Sequence, residues 1–311
     1  MPASEFDRFF LHLPPFDRES DFDAFWNSSF AELKKIPIEP KFEPKKHGPT
    51  GFRNFDVSFR SHNKSVIQGE LSIPKGAKKP RVVIVVPDYN RPNPYAKYAL
   101  EHEIAYFFIQ LRGHDLIRQE TPEGPASPGY MVDGIDDLSS YYLRGVYLDV
   151  FRSIDALRLN GEIDCSAIGI IGKGLGSAAA LFAASYSNRV AALVLDTPSL
   201  CYLTLSQNIS TGDATREINE YLEQHKTRKK AVKKNLTYFD GINFSDRIRC
   251  STLTTVGFRD TISPPECVFA LFNHLLCDKT IEVYPEDGNR AGEEKQFRKS
   301  LKWIAGIVNG A

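Results

Sequence analysis

A glycine-rich turn near the middle of the chain has the residue spacing of a reactive site. Residues 167–187 run from an apolar stretch through a turn at 172–176 (G-K-G-L-G) into an alanine-rich segment. This layout matches the nucleophile elbow, G-x-S-x-G, in which a serine at the apex of a strained strand-to-helix turn attacks the substrate. The apex residue here is Gly174, which has no side chain and therefore supplies no nucleophile.

Two other glycine-rich motifs match this turn less well. A dinucleotide-binding fingerprint needs a third glycine in G-x-G-x-x-G, and that position holds Ser177. A P-loop needs Ser or Thr directly after its lysine, whereas Lys173 is followed by Gly174. A degenerate nucleophile elbow fits best, since Gly172 and Gly176 remain available for close packing of the helix on the strand.

Apolar runs and helical patterns alternate along most of the chain. Alternating polar and apolar residues predict half-exposed antiparallel strands at 55–59 and 66–73. Continuous apolar runs predict strands buried on both faces at 82–86, 105–111, 167–171, 191–195, 252–256 and 281–284. Helical periodicity predicts helices at 141–157, 177–187, 265–276 and 293–308. The alternation predicts an α/β fold with a mainly parallel sheet and helices on both faces.

Two segments lie outside this alternation, within what we expect to be a single domain over 1–311. Residues 1–50 form an N-terminal arm with a predicted helix at 22–33, which ends before Pro37. Residues 197–243 form a polar, helical insertion that follows a buried strand, so we expect it over the carboxyl end of the sheet. The basic run at 226–234 lacks interleaved aromatic residues, which favours a solvated helix face over a nucleic-acid patch.

Composition limits the classes of partner and compartment. Lys+Arg and Asp+Glu both number 39, so nothing in the net charge favours a nucleic acid or an anionic membrane as partner. The five cysteines are scattered and never spaced C-x-x-C, which predicts reduced thiols rather than disulfides or a zinc site. No apolar leader is recognised and the apolar runs are too short to span a bilayer. We therefore expect a cytoplasmic protein with no metal and no cofactor.

A series of further motifs runs in order along nearly the whole chain. They are FDAFW at 22–26 with KIP at 35–37, RG at 112–113, YYLRGVYLD at 141–149, GKGLG at 172–176, DTPSLC at 196–201, LTYFD at 236–240 with DRIRC at 246–250, and VGFRDTISPP at 256–265. In order and spacing they resemble the acetyl xylan esterase and cephalosporin C deacetylase family of α/β-hydrolases (carbohydrate esterase family 7). The resemblance implies an α/β-hydrolase fold, a site for short acyl esters such as acetylated sugars, and a ring-like homo-oligomer such as a hexamer.

The resemblance also implies a Ser-Asp-His triad and assigns its positions in this sequence. The acid position holds Asp260, the nucleophile position holds Gly174, and the histidine position, in a turn after the last strand, holds Asn289. His274 is the only histidine after Asp260, and it lies within a predicted helix. Two of the three triad positions therefore lack the residue that the family uses.

The oxyanion hole implied by the resemblance is altered as well. The family's loop after the first parallel strand usually reads His-Gly-Tyr, and here it reads Pro87-Asp88-Tyr89. We expect the N–H of Tyr89 as one donor and the N–H of Leu175, directly after the apex, as the other. Asp88 brings a negative charge beside a site that stabilises an anion, which is the wrong sign.

These residues exclude a serine-type esterase mechanism, because glycine supplies no nucleophile and asparagine takes up no proton at ordinary pH. We expect Asp260 to keep a structural role through hydrogen bonds to the Asn289 amide and to nearby Ser and Thr hydroxyls. The alternative is that Asp260 activates water in the space beside Gly174, with Asn289 orienting it. Ser177 is expected to be a small helix residue that points elsewhere.

Three functional hypotheses follow. In the first, the protein is an inactive esterase homologue that binds a small ligand such as an acetylated sugar, or a partner. In the second, it hydrolyses short acyl esters by an unconventional route through Asp260. In the third, it is a structural oligomer or a nucleotide binder.

Arg290 either pairs with Asp88 or Asp260 or faces water. The expected pocket is bounded by Tyr89, Arg112, Gly174, Leu175, Asp260 and Asn289.

Overall fold

Strands and helices alternate along the chain much as the apolar patterns predict. A computed structural model describes residues 3–89, 91, 103–113 and 129–310. Within them the strands are β1 (Lys41–Lys45), β2 (Phe52–Arg60), β3 (Val66–Pro74), β4 (Arg81–Val86), β5 (Ala105–Ile109), β6 (Asp164–Lys173), β7 (Val190–Asp196), β8 (Ser251–Gly257) and β9 (Lys279–Tyr284). The α-helices are α1 (Ala3–Phe10), α2 (Phe22–Lys34), α3 (Tyr142–Arg158), α4 (Leu175–Tyr186), α5 (Leu203–Ile209), α6 (Asp213–Gln224), α7 (Lys229–Thr237), α8 (Ile242–Ser245), α9 (Pro265–His274) and α10 (Glu293–Gly310).

These strands form one sheet in the order β1-β2-β3-β5-β4-β6-β7-β8-β9. The pairs β1/β2, β2/β3 and β3/β5 are antiparallel, and the remaining pairs are parallel. Strand order reverses at β4, which has β5 on one side and β6 on the other. The carboxyl ends of β4 and β6 therefore flank a switch point, where open α/β sheets bind their ligands.

Strand β4 shows why the parallel strands are apolar throughout. Val82, Ile84 and Val86 belong to the larger core, which also contains residues of α2, α3 and α4. Val83 and Val85 belong to the core on the other face, which α10 completes. A strand buried on both faces needs both alternate sets of residues to be apolar. The predicted α/β fold, a mainly parallel sheet with helices on both faces, is confirmed.

Four further observations bear on what the sequence patterns predict. β1, which reads KFEPK, was not predicted, because an edge strand tolerates proline and needs no apolar alternation. Helix α1 was not predicted either. The predicted free thiols are confirmed, with four cysteines buried and Cys277 half-buried. None of the helices in the described part of the chain has the length and apolar character needed to cross a membrane.

The arm before β1 is tied to the insertion and to α4 through Trp26. Its side chain is completely buried, and its indole N–H donates to the carbonyl of Tyr238 at 3.2 Å. The Trp26 ring lies 4.4 Å from that of Phe182 in α4 and 5.6 Å from that of Phe239. Aromatic packing thus holds α2, α4 and the end of the insertion together.

A buried ion pair joins the loop after β5 to α3. Arg112 donates through Nε and Nη2 to the two carboxylate oxygens of Asp149, each at 2.7 Å. Beside this pair, the side chain of His62 is 3% exposed. Burial, followed by the charges of Arg144 and Arg112, lowers the pKa of His62 to about 4. His62 is therefore neutral in the folded protein at neutral pH.

We predict that neutral His62 makes the fold acid-sensitive. Its pKa rises from about 4 in the folded chain to about 6.5 in the unfolded chain, so its contribution is complete above pH 6.5 and lost as the pH falls towards 4. Between pH 7 and pH 5 this residue should lower the free energy of unfolding by about 2 kcal/mol. In urea unfolding of His62→Gln, the free energy of unfolding should fall by about 2 kcal/mol less between pH 7 and pH 5 than it does in the wild type.

The matched control is His47→Gln, because His47 is exposed. This variant should lose as much stability between the two pH values as the wild type. If His62→Gln loses as much as the other two proteins, His62 is not the acid-sensitive group.

Candidate functional site

The carboxyl ends of the parallel strands meet at one edge of the sheet and carry the residues that the motifs singled out. Because these strands run in the same direction, the loops that follow them all lie at this edge. The residues that follow β4, β6, β7, β8 and β9 there are Asp88 and Tyr89, Gly174 and Leu175, Thr197, Asp260, and Asn289 respectively. Their contacts define the candidate site.

The turn between β6 and α4 requires its glycines. Gly174 has φ 53° and ψ −119°, a conformation that L side chains rarely adopt. A Cβ at Gly172 would overlap the carbonyl of Gly176, and a Cβ at Gly176 would overlap the carbonyls of Val86 and Pro87. The predicted close packing of α4 at Gly172 and Gly176 is confirmed, and it presses the start of α4 against the end of β4.

The Asp88 carboxylate lies where the side chain of an apex residue would be. A Cβ built on Gly174 would overlap this carboxylate. Asp88 Oδ1 accepts hydrogen bonds from the backbone N–H of Tyr89 at 2.7 Å and from that of Leu175 at 2.9 Å. These are the two donors expected to form the oxyanion hole, and one side-chain oxygen of the protein itself takes both.

Opposing influences act on the ionisation of Asp88. Burial raises the pKa of Asp88, while the N–H groups of Leu175 and Tyr89 and the charges of Lys173 and Arg91 lower it. The net direction is upward. The two N–H groups favour the charged form, because a carboxylate accepts hydrogen bonds better than a carboxyl group does.

Asp260 and Asn289 form a second contact at this edge. The Asn289 amide donates to Asp260 Oδ2 at 3.2 Å, as predicted. Asp260 Oδ1 accepts the backbone N–H groups of Ile262 and Ser263 at 2.8 and 2.9 Å, where Ser and Thr hydroxyls were expected. Burial raises the pKa of Asp260, against the effect of these three donors and of Lys173.

Lys173 connects the elbow to the loops after β7 and β9. Its Nζ donates to Asp196 Oδ2 at 3.1 Å, to Thr197 Oγ1 at 3.2 Å and to the carbonyl of Asn289 at 3.1 Å. The Asn289 amide is also 3.4 Å from Thr197 Oγ1. One half-buried cation thus holds the elbow to two other loops and lowers the pKa of both Asp88 and Asp260.

Glu217 of α6 accepts hydrogen bonds from the loop after β4 and from residues 129 and 131. The Tyr89 hydroxyl donates to its carboxylate oxygens at 3.0 and 2.9 Å. The backbone N–H groups of Gly129 and Met131 donate to the same carboxylate at 3.2 and 3.0 Å. The side chains of Tyr89 and Glu217 are 5% and 6% exposed. The position of Tyr89, and therefore of its backbone N–H, is fixed by the insertion.

Comparison with known proteins identifies the family of the chain. A family model described as acetyl xylan esterase (AXE1) matches residues 12–307. The chain belongs to the acetyl xylan esterase family. It is 26% identical over 307 residues to the acetyl esterase Axe7A of Xylanibacter ruminicola, a match that covers 94% of this chain and 68% of the relative.

Two solved acetyl xylan esterases have the same fold. The enzyme from Paenibacillus sp. R4 superposes with a TM-score of 0.87 at 28% identity, over 99% of this chain and 100% of that one. Acetyl xylan esterase 1 from Thermoanaerobacterium sp. JW/SL YS485 superposes with a TM-score of 0.84 at 21% identity, over 99% of each chain. The strands that carry the candidate site are therefore those of an acetyl xylan esterase fold.

The structure does not bring every predicted site residue into this acetyl xylan esterase framework. The Arg112 guanidinium pairs with Asp149 of α3, and its contacts among the described residues include none with the elbow, Asp260 or Asn289. Of the two alternatives for Arg290, the structure shows the second, since its side chain is 80% exposed and pairs with Glu293. The other alternative, a pairing of Arg290 with Asp88 or Asp260, is wrong.

Two predicted positions off the site behave as expected. Ser177 is buried in α4 and donates to the carbonyl of Gly172 at 2.6 Å, so it is a small helix residue. The ring of His274 in α9 contacts the carbonyl of Ala270 at 2.7 Å and packs against Phe16.

Sequence reasoning missed Lys173 and Glu217. Lys173 was considered only as a P-loop lysine, and nothing local in sequence shows that it reaches the loops after β7 and β9. Glu217 had a usable signal, because it lies on the buried face of α6 next to Ile218 and close to Ala214. A carboxylate among apolar helix positions indicates a buried hydrogen-bonding partner.

We predict that residues 88 and 174 are energetically coupled. Gly174→Ala should destabilise the fold by about 2–4 kcal/mol, through the rare backbone conformation and the overlap with Asp88. In an Asp88→Gly background the overlap is gone, so the same substitution should cost about 1–3 kcal/mol less. Urea unfolding of the wild type, both single variants and the double variant measures this coupling.

The control is Gly161→Ala, because a Cβ at Gly161 meets nothing within 4 Å and its φ is not positive. It should change the stability by less than about 0.5 kcal/mol in either background. Strictly additive effects of Asp88→Gly and Gly174→Ala would contradict the placement of the Asp88 carboxylate at the apex.

Proposed function

We propose that this protein is a non-hydrolytic member of the acetyl xylan esterase family that binds a small acylated-sugar-like ligand or a partner. The observation that carries the proposal is the identity and geometry of residues 174 and 289. Gly174 has the elbow conformation without a side chain, and Asn289 makes the contact with Asp260 that a triad histidine would make. The retained acid therefore faces an amide.

Proton transfer decides the chemistry. A serine hydrolase needs a base that removes the proton of the nucleophile and returns it to the leaving group. The Asn289 amide does neither at ordinary pH, and residue 174 has no proton to give. Loss of either the nucleophile or the base alone removes roughly six orders of magnitude in turnover, because the triad acts as a unit.

The residual activity of a triad-less hydrolase depends on the oxyanion hole. Substrate binding and the hole alone retain about 10³–10⁴-fold acceleration over water. In this protein Asp88 Oδ1 already accepts hydrogen bonds from both expected donors. We therefore expect turnover at the level of the uncatalysed reaction.

One observation favours a second function, ester hydrolysis with Asp260 as base. Burial raises the pKa of Asp260, which makes it a better base near neutral pH. Against this, its oxygens accept hydrogen bonds from Ile262, Ser263 and Asn289. Each donor lowers the basicity of the carboxylate. The balance favours a structural Asp260.

The ligand class in this proposal comes from the relatives, which are an acetyl esterase and acetyl xylan esterases by name. A ring-like homo-oligomer, a cytoplasmic location, and independence of nucleic acid and membrane belong to the same proposal. A thermal-shift screen tests the ligand class. Acetylated xylose and xylo-oligosaccharides should raise the melting temperature, and nucleotides should not.

We predict that the wild type hydrolyses para-nitrophenyl acetate no faster than buffer. Asp260→Ala should leave that baseline unchanged, since no catalysed reaction depends on the carboxylate. The release of nitrophenolate between pH 6 and pH 9 measures both rates. A wild-type rate above buffer that Asp260→Ala abolishes would favour the second function instead.

A further inference from the structure

The contact between Asp88 and the two backbone donors points to a role for Asp88 that the triad positions do not reveal. One oxygen accepts two N–H groups that come from different elements, the loop after β4 and the first turn of α4. The carboxylate also fills the volume that a Cβ of residue 174 would need. We propose that Asp88 is a built-in ligand of the oxyanion hole, and that it keeps the carbonyl of an acylated ligand and small carboxylates such as acetate out of this hole.

The chemistry of the contact resembles that of a bound carboxylate. In acyl-transfer enzymes two N–H groups of this kind bind the oxygen on which negative charge develops. Asp88 Oδ1 already occupies that point, 2.7 and 2.9 Å from the two nitrogen atoms, and the hydrogen bonds that its ionised form accepts are stronger than those to a neutral ester carbonyl. An incoming acyl group therefore competes with an acceptor that is already in place.

Neighbouring contacts hold Asp88 in the hole. Tyr89, the next residue, is fixed through its hydroxyl to Glu217. Val86, two residues earlier, is completely buried at the end of β4. The chain on both sides of Asp88 is therefore immobilised, and its carboxylate is covalently tethered beside the donors. Such a tethered group competes at a high effective concentration.

This inference rests on the proposed function, because it concerns the same site, but it is tested separately. Removing the Asp88 side chain should free both N–H groups and create a site for a monocarboxylate. Replacing Asp88 by asparagine should not, because the amide oxygen still accepts both hydrogen bonds and the side chain keeps its volume. Asp88→Asn is thus the matched control that removes the charge without opening the hole.

The experiment is a calorimetric titration of sodium acetate into the wild type, Asp88→Gly and Asp88→Asn at constant ionic strength. Asp88→Gly should bind acetate at least roughly tenfold more tightly than the other two proteins, the gain expected from charge-assisted hydrogen bonds. In ¹⁵N NMR spectra the amide signals of residues 89 and 175 should move with acetate in Asp88→Gly alone. Equal acetate affinity in Asp88→Gly and Asp88→Asn would overturn the inference.

A second variant and a wild-type measurement keep the test decisive if Asp88→Gly misfolds. If Asp88→Gly does not fold, Asp88→Ala opens the same donors. If neither folds, the amide proton signals of Tyr89 and Leu175 in the wild type should follow one titration of the Asp88 carboxyl, and their failure to do so overturns the inference. Hydrolysis by the wild type would overturn the proposed function, whereas failure of Asp88→Gly to bind acetate overturns only the role of Asp88.

Discussion

The close approach of helix α4 to the ends of β4 and β6 is the constraint on which the site depends. Glycine at 172 and 176 is what permits it, because a side chain at either position would overlap backbone carbonyls across the interface. This approach brings the N–H of Leu175 and the loop after β4 to the same point. The same approach lets a side chain of the β4 loop reach the N–H of Leu175, and in this protein Asp88 does so.

The acetyl xylan esterase fold is thus retained, and the polar side chains at the candidate site hydrogen-bond to other parts of the protein. Lys173 links the elbow to the loops after β7 and β9, Asn289 is held against Asp260, and Glu217 fixes Tyr89. Each of these groups has hydrogen-bonding partners within the protein, which leaves less hydrogen-bonding capacity for a substrate. The strands at the site are those of the acetyl xylan esterase fold, but the polar groups there hydrogen-bond to one another, as polar groups in a protein interior do.

Much of this was predictable from sequence, and the rest has physical reasons for escaping it. The parallel strands were recognisable because burial on both faces makes them wholly apolar, and the glycine turn because its spacing is fixed by packing. The pairing of Asp260 with Asn289 followed from the family resemblance, which assigns both residues to triad positions. The position of the Asp88 side chain was not predictable in full. Its negative charge beside the expected oxyanion hole was recognised, but the space that its carboxylate occupies exists only because residue 174, 86 positions later, is glycine. Arg290 was ambiguous because its rotamer depends on the nearby Glu293.

The most direct test restores the triad with and without Asp88. Hydrolysis of para-nitrophenyl acetate by Gly174→Ser/Asn289→His should stay at the wild-type level, because the new side chain at residue 174 overlaps the Asp88 carboxylate. The triple variant that adds Asp88→Gly should be at least roughly 100-fold faster, once nucleophile, base and oxyanion hole act together. If the double variant hydrolyses the ester as fast as the triple variant does, the claim that Asp88 closes this site is contradicted.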